Sequence, residues 1–158
     1  MASILKNKKI SFFLVSAFLL LIVVVLFFIF LNWSKKESSV YISGKQLTVE
    51  IADNPSERYL GLSSRKNLLE DHGLLFIFSD YAKRRFVMRD MNFPLDIIFI
   101  KDGVVKEIKA DCPPEGNNPL VIYESKDDIN MVLEVPAAYA KKNNIVIGSS
   151  FQISENLK

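Results

Sequence analysis

Four charged residues lie beside strongly apolar segments, where they could bind a ligand or hold the fold together: Arg65, Arg89, Asp96 and Glu134. Arginine suits bidentate pairing with a carboxylate, whether that carboxylate belongs to the protein or to a ligand. A buried carboxylate without a partner is costly, so the protein or a ligand must satisfy each acid. The four residues are therefore the predicted ligand-binding site. Arg65, Arg89 and Asp96 would lie at a polar corner near Pro94, with Glu134 in support.

The same residues could instead be structural, and their residue types favour this role. Asp96 would accept backbone N–H groups or pair with Arg65 or Arg89. Structural ion pairs shift the pKa of a carboxylate just as functional sites do, so a shifted pKa would not by itself mark a site. Glu134 alternates with apolar neighbours in a predicted strand, where it could partner an arginine, line a groove or face solvent. The sequence leaves open whether Arg89 serves Asp96 or a ligand.

Acid–base catalysis by Asp96 and Glu134 is a second hypothesis. Two carboxyl groups about 5 to 10 Å apart can hydrolyse a glycosidic bond, but a sequence does not give their separation. Cys112 would need a base, and His72 is the one histidine of the chain. The neighbouring Asp111 would raise the pKa of the thiol, which favours a structural cysteine in a loop. We therefore assign no catalytic residue, no metal ligand and no cofactor.

Two further groups of residues are expected to be structural. Lys83-Arg84-Arg85 is short for a polybasic patch, so we expect a solvated turn rather than a contact with acidic lipid or an anionic polymer. Core positions are expected for the phenylalanines at 76, 78, 86, 93, 99 and 151.

Short strands separated by turn signals must position these residues. Strands are predicted over 40–42, 47–51, 74–78, 86–88, 95–101, 104–110, 120–123, 131–135, 145–147 and 151–153. Asp102-Gly103 is the strongest hairpin signal. A short helix should begin after the cap Asn54 and end at Gly61, and a second should cover 137–142. This pattern predicts a mainly β, β-barrel-like domain or sandwich with two short helices.

An uncharged apolar run of 22 residues, from Ile10 to Leu31, precedes this domain. As a helix it would be about 33 Å long, enough to cross a hydrocarbon core of about 30 Å. The alternative is a cleavable signal peptide, but the run is too long and no small-residue cleavage site follows it. Three lysines precede the run and two follow it, so the positive-inside rule predicts a cytoplasmic N-terminus and an external domain.

These boundaries divide the chain into a cytoplasmic terminus (1–9), a transmembrane signal anchor (10–31), a linker (32–39) and an extracytoplasmic domain (40–158). The predicted location is the cell membrane, in a single pass. From Val40 onward, 15 basic and 17 acidic residues give a net charge of −2. The composition therefore gives no support for nucleic-acid binding.

Four stretches of the domain carry a recurring pattern: GLSSR (61–65), GLLFIF (73–78), FVMRDMNFPLDI (86–97) and MVLEVPA (131–137). They are similar to G-L-x-x-R, G-M-L-F-x-F, F-W-M-K-N-T-x-x-P-L-D-I and Y-V-L-E-x-P-A-G. In order and spacing they resemble the domain of unknown function 192 family, also called uncharacterised protein family 0127. The resemblance covers Leu47 to Ile153, nearly all of the predicted external domain.

The resemblance implies a small β-barrel-like domain, frequently exported or membrane-tethered in bacteria and archaea, and it implies no reaction. The chain departs from the pattern at five positions. Ser63 stands where Met is usual, Val87 where Trp is usual and Asp90 where Asn is usual, while Ala138 and Asn144 replace glycines. Val87 and Asp90 fall at the polar corner, so a ligand-binding role there does not carry over directly.

The expected function is a membrane-anchored extracytoplasmic binding or accessory module of the cell envelope. Its ligand would be a small molecule, a polymer or another envelope protein. The alternatives are an envelope hydrolase that uses Asp96 and Glu134, and a structural domain that docks an envelope protein through an exposed apolar patch. Catalysis is not favoured, because the sequence has no nucleophile–base pair, His-pair metal motif or phosphate-binding loop.

Overall fold

Nine strands and two short helices follow the N-terminal segment in the computed structural model, which describes residues 15–16, 18–27 and 37–154. The strands are β1 (Glu37–Ile42), β2 (Lys45–Ala52), β3 (His72–Ala82), β4 (Arg85–Phe86), β5 (Leu95–Lys101), β6 (Val104–Cys112), β7 (Tyr123–Glu124), β8 (Ile129–Pro136) and β9 (Phe151–Ile153). The helices are α1 (Pro55–Leu60) and α2 (Tyr139–Lys142).

Seven of the strands form one curled sheet in the order β6-β5-β8-β3-β2-β1-β9, and β4 and β7 form a separate ribbon. All pairings in the large sheet are antiparallel except β2 with β3. The two ends of the sheet approach each other, because Val104 bridges Ser150 and the Phe151 N–H donates to the Gly103 carbonyl at 2.7 Å. The predicted mainly β, barrel-like architecture with two short helices is confirmed for the domain.

Alternation along the strands separates two apolar clusters on the two faces of the sheet. The inner cluster contains Ile98, Leu133 and Val135, and it draws on every strand of the large sheet. The outer cluster contains Ile97 and Val132 and is covered by the segments that follow α1 and β4. Consecutive residues of β5 and β8 therefore contribute to different faces.

Helix α1 begins and ends where the sequence predicts. The Asn54 side chain accepts the Glu57 N–H at 3.0 Å, and the Glu57 carboxylate accepts the Asp53 N–H at 3.1 Å. Gly61 ends the helix at φ 53°, a backbone conformation that glycine adopts without steric cost. Helix α2 is shorter than predicted, because Ala138 adopts a left-handed conformation at φ 63° and the helix starts after it.

Two predicted strands are wrong. Residues 120–122 are not in a strand, because the Leu120 and Val121 N–H groups donate to the Glu115 carboxylate at 2.9 and 3.3 Å instead of to a neighbouring strand. Residues 145–147 also lie outside the strands, since the Ile145 N–H donates to the Ala140 carbonyl at 2.9 Å. In both segments, backbone N–H groups that would bond to a neighbouring strand donate instead to an acceptor nearby in the sequence.

The N-terminal segment forms a unit separate from the domain, with the boundary after Lys35. Residues 15–16 and 18–27 are helical and their side chains are exposed. The rest of the predicted anchor (10–14, 17 and 28–31), the predicted terminus 1–9 and linker residues 32–36 lie outside the described residues. In the described parts of the chain, no helix has both the length and the apolar character needed to span a membrane. Strand β1 starts at Glu37, within the predicted linker.

Candidate functional site

A cleft of about 440 Å³ opens on the outer face of the sheet. Its walls are residues 58–63 and 83–89, with Met91 beside them, and Phe76, Phe78 and Glu134 of the sheet complete it. Phe86 fixes the wall that residues 83–89 form. Its ring packs nearly edge to face against the Phe76 and Phe99 rings, with centroids 4.9 and 6.0 Å apart. The volume is within the range of small-molecule sites.

Five cationic side chains line the cleft: Arg58, Lys83, Arg84, Arg85 and Arg89. Three of the guanidinium groups lie over aromatic rings, which hold them in place by cation–π contact. Arg84 is 3.8 Å and Arg58 5.2 Å from the centre of the Phe78 ring, and Arg89 is 4.2 Å from the centre of the Tyr59 ring. The cleft therefore presents positioned rather than freely mobile positive charge.

Arg89 and Arg58 are held by backbone carbonyls. An Arg89 Nη donates to the Tyr59 carbonyl at 2.8 Å, and an Arg58 Nη donates to the carbonyls of Asp53 and Ile77 at 2.6 and 3.1 Å. Within residues 37–154, no carboxylate forms a salt bridge with either guanidinium. After Arg84, the charge of Arg58 also helps to lower the pKa of Asp80, so Arg89 is the one of the two whose charge is available to an anion that enters the cleft.

Arg84 is more buried than a solvated turn would allow, so the expected solvated turn over Lys83-Arg84-Arg85 is wrong at this residue. Its side chain is 16% exposed, and an Nη donates to the Asp80 carbonyl and carboxylate at 2.7 and 2.8 Å. This contact holds the pKa of Asp80 below its ordinary value. The Arg84 Nε is buried without an acceptor, which leaves one donor of the guanidinium unused.

Glu134 is the one acid of the cleft lining, and it lies on β8 between Leu74 of β3 and Ile97 of β5. The residue is only 6% exposed. Within the described part of the chain, no donor forms a hydrogen bond with its carboxyl group. Burial raises the pKa of Glu134 to about 8, and the nearby charge of Arg65 only partly offsets this rise. Glu134 is thus a neutral carboxylic acid at neutral pH, with a proton to donate.

Arg65 pairs with neither predicted acid. Two of its nitrogens donate to the two oxygens of Glu50 on β2, at 2.5 and 2.8 Å, in a bidentate ion pair. The predicted partnership of Arg65 with Asp96 or Glu134 is therefore wrong. Its remaining influence on the cleft is electrostatic, through Glu134.

Asp96 is fully buried and is satisfied by backbone N–H groups alone. One oxygen accepts from Asp111 at 2.9 Å and Ala138 at 3.2 Å, and the other accepts from Ala140 at 2.9 Å. In residues 37–154 no arginine contacts it. The backbone alternative is confirmed, and the idea that an arginine holds Asp96 is wrong.

Asp96 and Glu134 face opposite sides of the sheet. Asp96 lies opposite Val135 in the β5–β8 pairing, and Val135 belongs to the inner cluster. Glu134 lies opposite Ile97, which belongs to the outer cluster, and it lines the cleft. Because the acids do not converge on one cleft, the hypothesis of a hydrolase with this acid–base pair is wrong.

Cys112 offers no nucleophile. It is buried at the end of β6, and its thiol donates to the Lys109 carbonyl at 3.4 Å. Burial raises the pKa of the thiol to about 11, so the reactive thiolate is scarce at neutral pH. His72 instead contacts Asp71, with 2.7 Å between Nδ1 and the carboxylate.

The structure therefore brings two of the four predicted site residues, Arg89 and Glu134, into one cleft. Arg65 and Asp96 do not line it. Sequence reasoning missed Arg58, Tyr59 and Phe78, and treated Arg84 as solvated. The usable signal in the sequence was that arginines stand next to aromatic residues, at Arg58-Tyr59 and at Arg84-Arg85-Phe86. Arginine and aromatic side chains that lie close together can form cation–π contacts.

A family model, DUF192 (domain of unknown function 192), described as "Uncharacterized ACR", matches residues 38–153. A Sinorhizobium meliloti 1021 protein described as a candidate transcription regulator is 31% identical, with a TM-score of 0.71 over 76% of this chain and 95% of that one. A protein of unknown function from Novosphingobium aromaticivorans DSM 12444 is 27% identical, with a TM-score of 0.66 over 73% of this chain and 84% of that one. No curated protein matches the chain.

Proposed function

We propose that this chain, which belongs to the domain of unknown function 192 family, is a membrane-anchored extracytoplasmic module that binds a small anionic ligand in the arginine-lined cleft. The domain acts as a binding or accessory module of the cell envelope, not as a catalyst. Of the predicted site residues, Arg89 contacts the ligand and Glu134 forms the base of its site.

One observation carries the proposal: Glu134, an acid that is 6% exposed and forms no hydrogen bond with a described residue, lies in a cleft that five cationic side chains line. Burial disfavours the charged form of an acid and raises the pKa of Glu134, so a fold without a ligand to bind would gain by replacing Glu134 with an apolar residue. Positioned guanidinium groups without a carboxylate partner are suited to carboxylate or phosphate recognition. Both features are explained by a ligand that completes the site.

The membrane anchor is proposed from the sequence. Ile10 to Leu31 carry no charge, glycine or proline, and a chain segment of this kind is stable in lipid as a helix. The lysine bias across this segment favours an external domain.

Calorimetric titration with inorganic phosphate tests the ligand class. The full chain in neutral-lipid nanodiscs should bind phosphate, and Arg89→Met should weaken binding at least tenfold, about 1.4 kcal/mol, because one charged contact is lost. The matched control is Lys106→Met, which removes one positive charge from the exposed face of β6 outside the cleft and should leave the affinity unchanged. Equal affinities for Arg89→Met and the unmutated chain contradict the proposal, provided that thermal melting shows both proteins folded. If Arg89→Met unfolds the domain, Arg89 is structural.

Docking of an envelope protein is a second proposed function, which three consecutive exposed apolar residues favour. Leu120, Val121 and Ile122 are 90%, 45% and 49% exposed, and the Glu115 carboxylate fixes the backbone of the first two. Exposed apolar surface of this kind is common at protein interfaces. Replacing all three residues by serine should abolish co-purification of an envelope protein with the full chain while leaving phosphate binding intact. An unchanged set of co-purified proteins would exclude docking through this segment.

A further inference from the structure

We infer that the ligand of the cleft is an amphipathic anion, whose charged group binds the arginines while its apolar body lies along the exposed side chains of Leu60 and Val87. This inference rests on the proposed function and specifies the chemical class of its ligand. It excludes a bare inorganic ion as the intended occupant.

The apolar part of the ligand is indicated by the side chains between the arginines. Leu62, Phe76 and Met88 lie beneath the cleft and are almost fully covered by protein atoms. Leu60 and Val87 also line it and remain 57% and 38% exposed. A site for a bare ion gains nothing from such surface, because burying apolar groups stabilises a complex only when the ligand is itself apolar there.

The charged part of the ligand is indicated by a difference among the cations of the cleft: some form salt bridges with described acidic residues, and others do not. Arg84 is paired with Asp80, and Arg85 is 3.7 Å from Glu124. Arg58 and Arg89 make no salt bridge within residues 37–154, and both are held over aromatic rings with backbone carbonyls on one side. Their remaining N–H groups match the oxygens of a phosphate or carboxylate, which guanidinium binds in a fork geometry.

Glu134 adds a third element, a proton donor in an otherwise cationic and apolar cleft. The groups near it that carry charge or can titrate come from several elements: Glu50 of β2 with its partner Arg65, Cys112 at the end of β6, and the cleft residues Arg58, Tyr59, Lys83, Arg84, Arg85 and Arg89. Below a pH of about 8 the Glu134 carboxyl group is neutral, so it can donate a hydrogen bond to a ligand oxygen without repelling the anion. Its ionisation removes the donor and adds a negative charge beside the ligand.

Calorimetric titration of the full chain in neutral-lipid nanodiscs with phenyl phosphate, inorganic phosphate and phenol tests this inference. At pH 7, phenyl phosphate should bind at least tenfold more tightly than inorganic phosphate, and phenol should not bind measurably. Between pH 7 and pH 9 the affinity for phenyl phosphate should fall about tenfold, because Glu134 ionises in this range while the second ionisation of a phosphate ester, near pH 6, is already complete. In Glu134→Gln, which keeps a neutral hydrogen-bonding group, the affinity should change less than about twofold over the same range. Cys112, with a pKa of about 11, does not contribute in this interval.

The outcomes separate this inference from the function on which it rests. Equal affinities for phenyl phosphate and inorganic phosphate, both weakened by Arg89→Met, overturn the amphipathic ligand and leave the anion-binding function standing. Tight binding of phenyl phosphate with the same pH dependence in the unmutated chain and in Glu134→Gln also overturns the inference, since the acid would then not face the ligand. Binding of neither anion overturns both proposals. Thermal melting of each variant shows whether a lost affinity reflects a lost fold.

Discussion

At the scale of single residues, the buried acids Asp96 of β5 and Glu134 of β8 differ in what satisfies them. Asp96 receives three backbone N–H groups, so the fold itself supplies hydrogen bonds to both of its oxygens. Glu134 receives none within the described part of the chain, and burial raises its pKa to about 8. One acid therefore belongs to the scaffold, and the other has the properties of a binding-site residue.

Glu134→Gln should stabilise the domain, increasingly so as the pH rises. Burial raises the Glu134 pKa from 4.5 to about 8 on folding, so between these values the folded chain retains a proton that the unfolded chain releases. The free energy of unfolding of the unmutated chain therefore loses up to about 1.4 kcal/mol per pH unit across this window. Urea unfolding at pH 5, 7 and 9 should show the advantage of the glutamine variant growing to a few kcal/mol.

The advantage should level off above a pH of about 8, because Glu134 is then ionised in both states. Glu124→Gln, which replaces a half-exposed glutamate of β7, is the matched control and should show little dependence on pH. A constant difference between the unmutated chain and Glu134→Gln from pH 5 to pH 9 would mean that Glu134 is not held neutral by burial.

Asp96→Ala should destabilise the domain by about 3 kcal/mol, because it leaves three backbone N–H groups without their acceptor, and that of Ala140 is buried. Asp96→Asn should be only a partial replacement, since an amide offers a single acceptor oxygen. The measurement is urea unfolding of each variant. Asp127→Ala, at an exposed aspartate, should change stability by less than about 0.5 kcal/mol. A loss for Asp96→Ala as small as that of the control would contradict the structural role.

At the scale of elements, three of the five residues that depart from the pattern this chain resembles share a backbone conformation. Ala138 and Asn144 replace usual glycines, and both adopt left-handed conformations, with φ of 63° and 54°. Asp90 replaces an asparagine and has φ 53°. Glycine reaches this region at lower cost than alanine, and asparagine and aspartate both adopt it more readily than most residues. The family pattern thus reports backbone geometry at these three positions.

Ala138→Gly should stabilise the domain by about 0.5–1 kcal/mol, the reverse of the usual effect of glycine. The Cβ of Ala138 strains its left-handed conformation. Removing this strain should stabilise the folded state by more than the free-energy cost of the extra conformational entropy that glycine gives the unfolded chain. Chemical unfolding of the variant should show a higher midpoint. Ala137→Gly is the control. Ala137 is not among the residues of positive φ, so this variant should be less stable than the unmutated chain. A lower midpoint for Ala138→Gly would contradict strain at this position.

Element positions could be predicted where local signals decide them, as with the Asn54 cap and the Asp102-Gly103 hairpin. Partners of charged side chains could not be predicted, because they depend on which strands are neighbours. Arg65 reaches Glu50 on β2, the strand that pairs in parallel with β3. The cleft escaped prediction for the same reason, since its walls come from residues 58–63, 83–89 and Glu134, which are distant in sequence.

At the scale of the whole molecule, the separation of charge matters more than its total. The net charge of +2 comes from the N-terminal region, and the residues from Val40 onward carry −2. The cleft nevertheless concentrates five cations against one acid. An anion is therefore attracted by local potential and not by the charge of the protein as a whole, so its binding should weaken with added salt.

The anchoring proposal predicts that the full chain stays in the membrane pellet of a bacterial host after alkaline carbonate extraction, because a spanning helix is not released by the loss of ionic contacts. Protease added to intact spheroplasts should degrade residues 37–154, since the lysine bias directs this part outside. Deletion of 10–31 is the control and should move the protein to the soluble fraction. Replacing Lys6, Lys8 and Lys9 by glutamine removes the three bases that precede the run and leaves two after it, so protease protection should then increase. A domain that is protected in the unmutated chain, and becomes accessible only after lysis, would place the cleft on the cytoplasmic side and restrict its ligand to cytoplasmic anions.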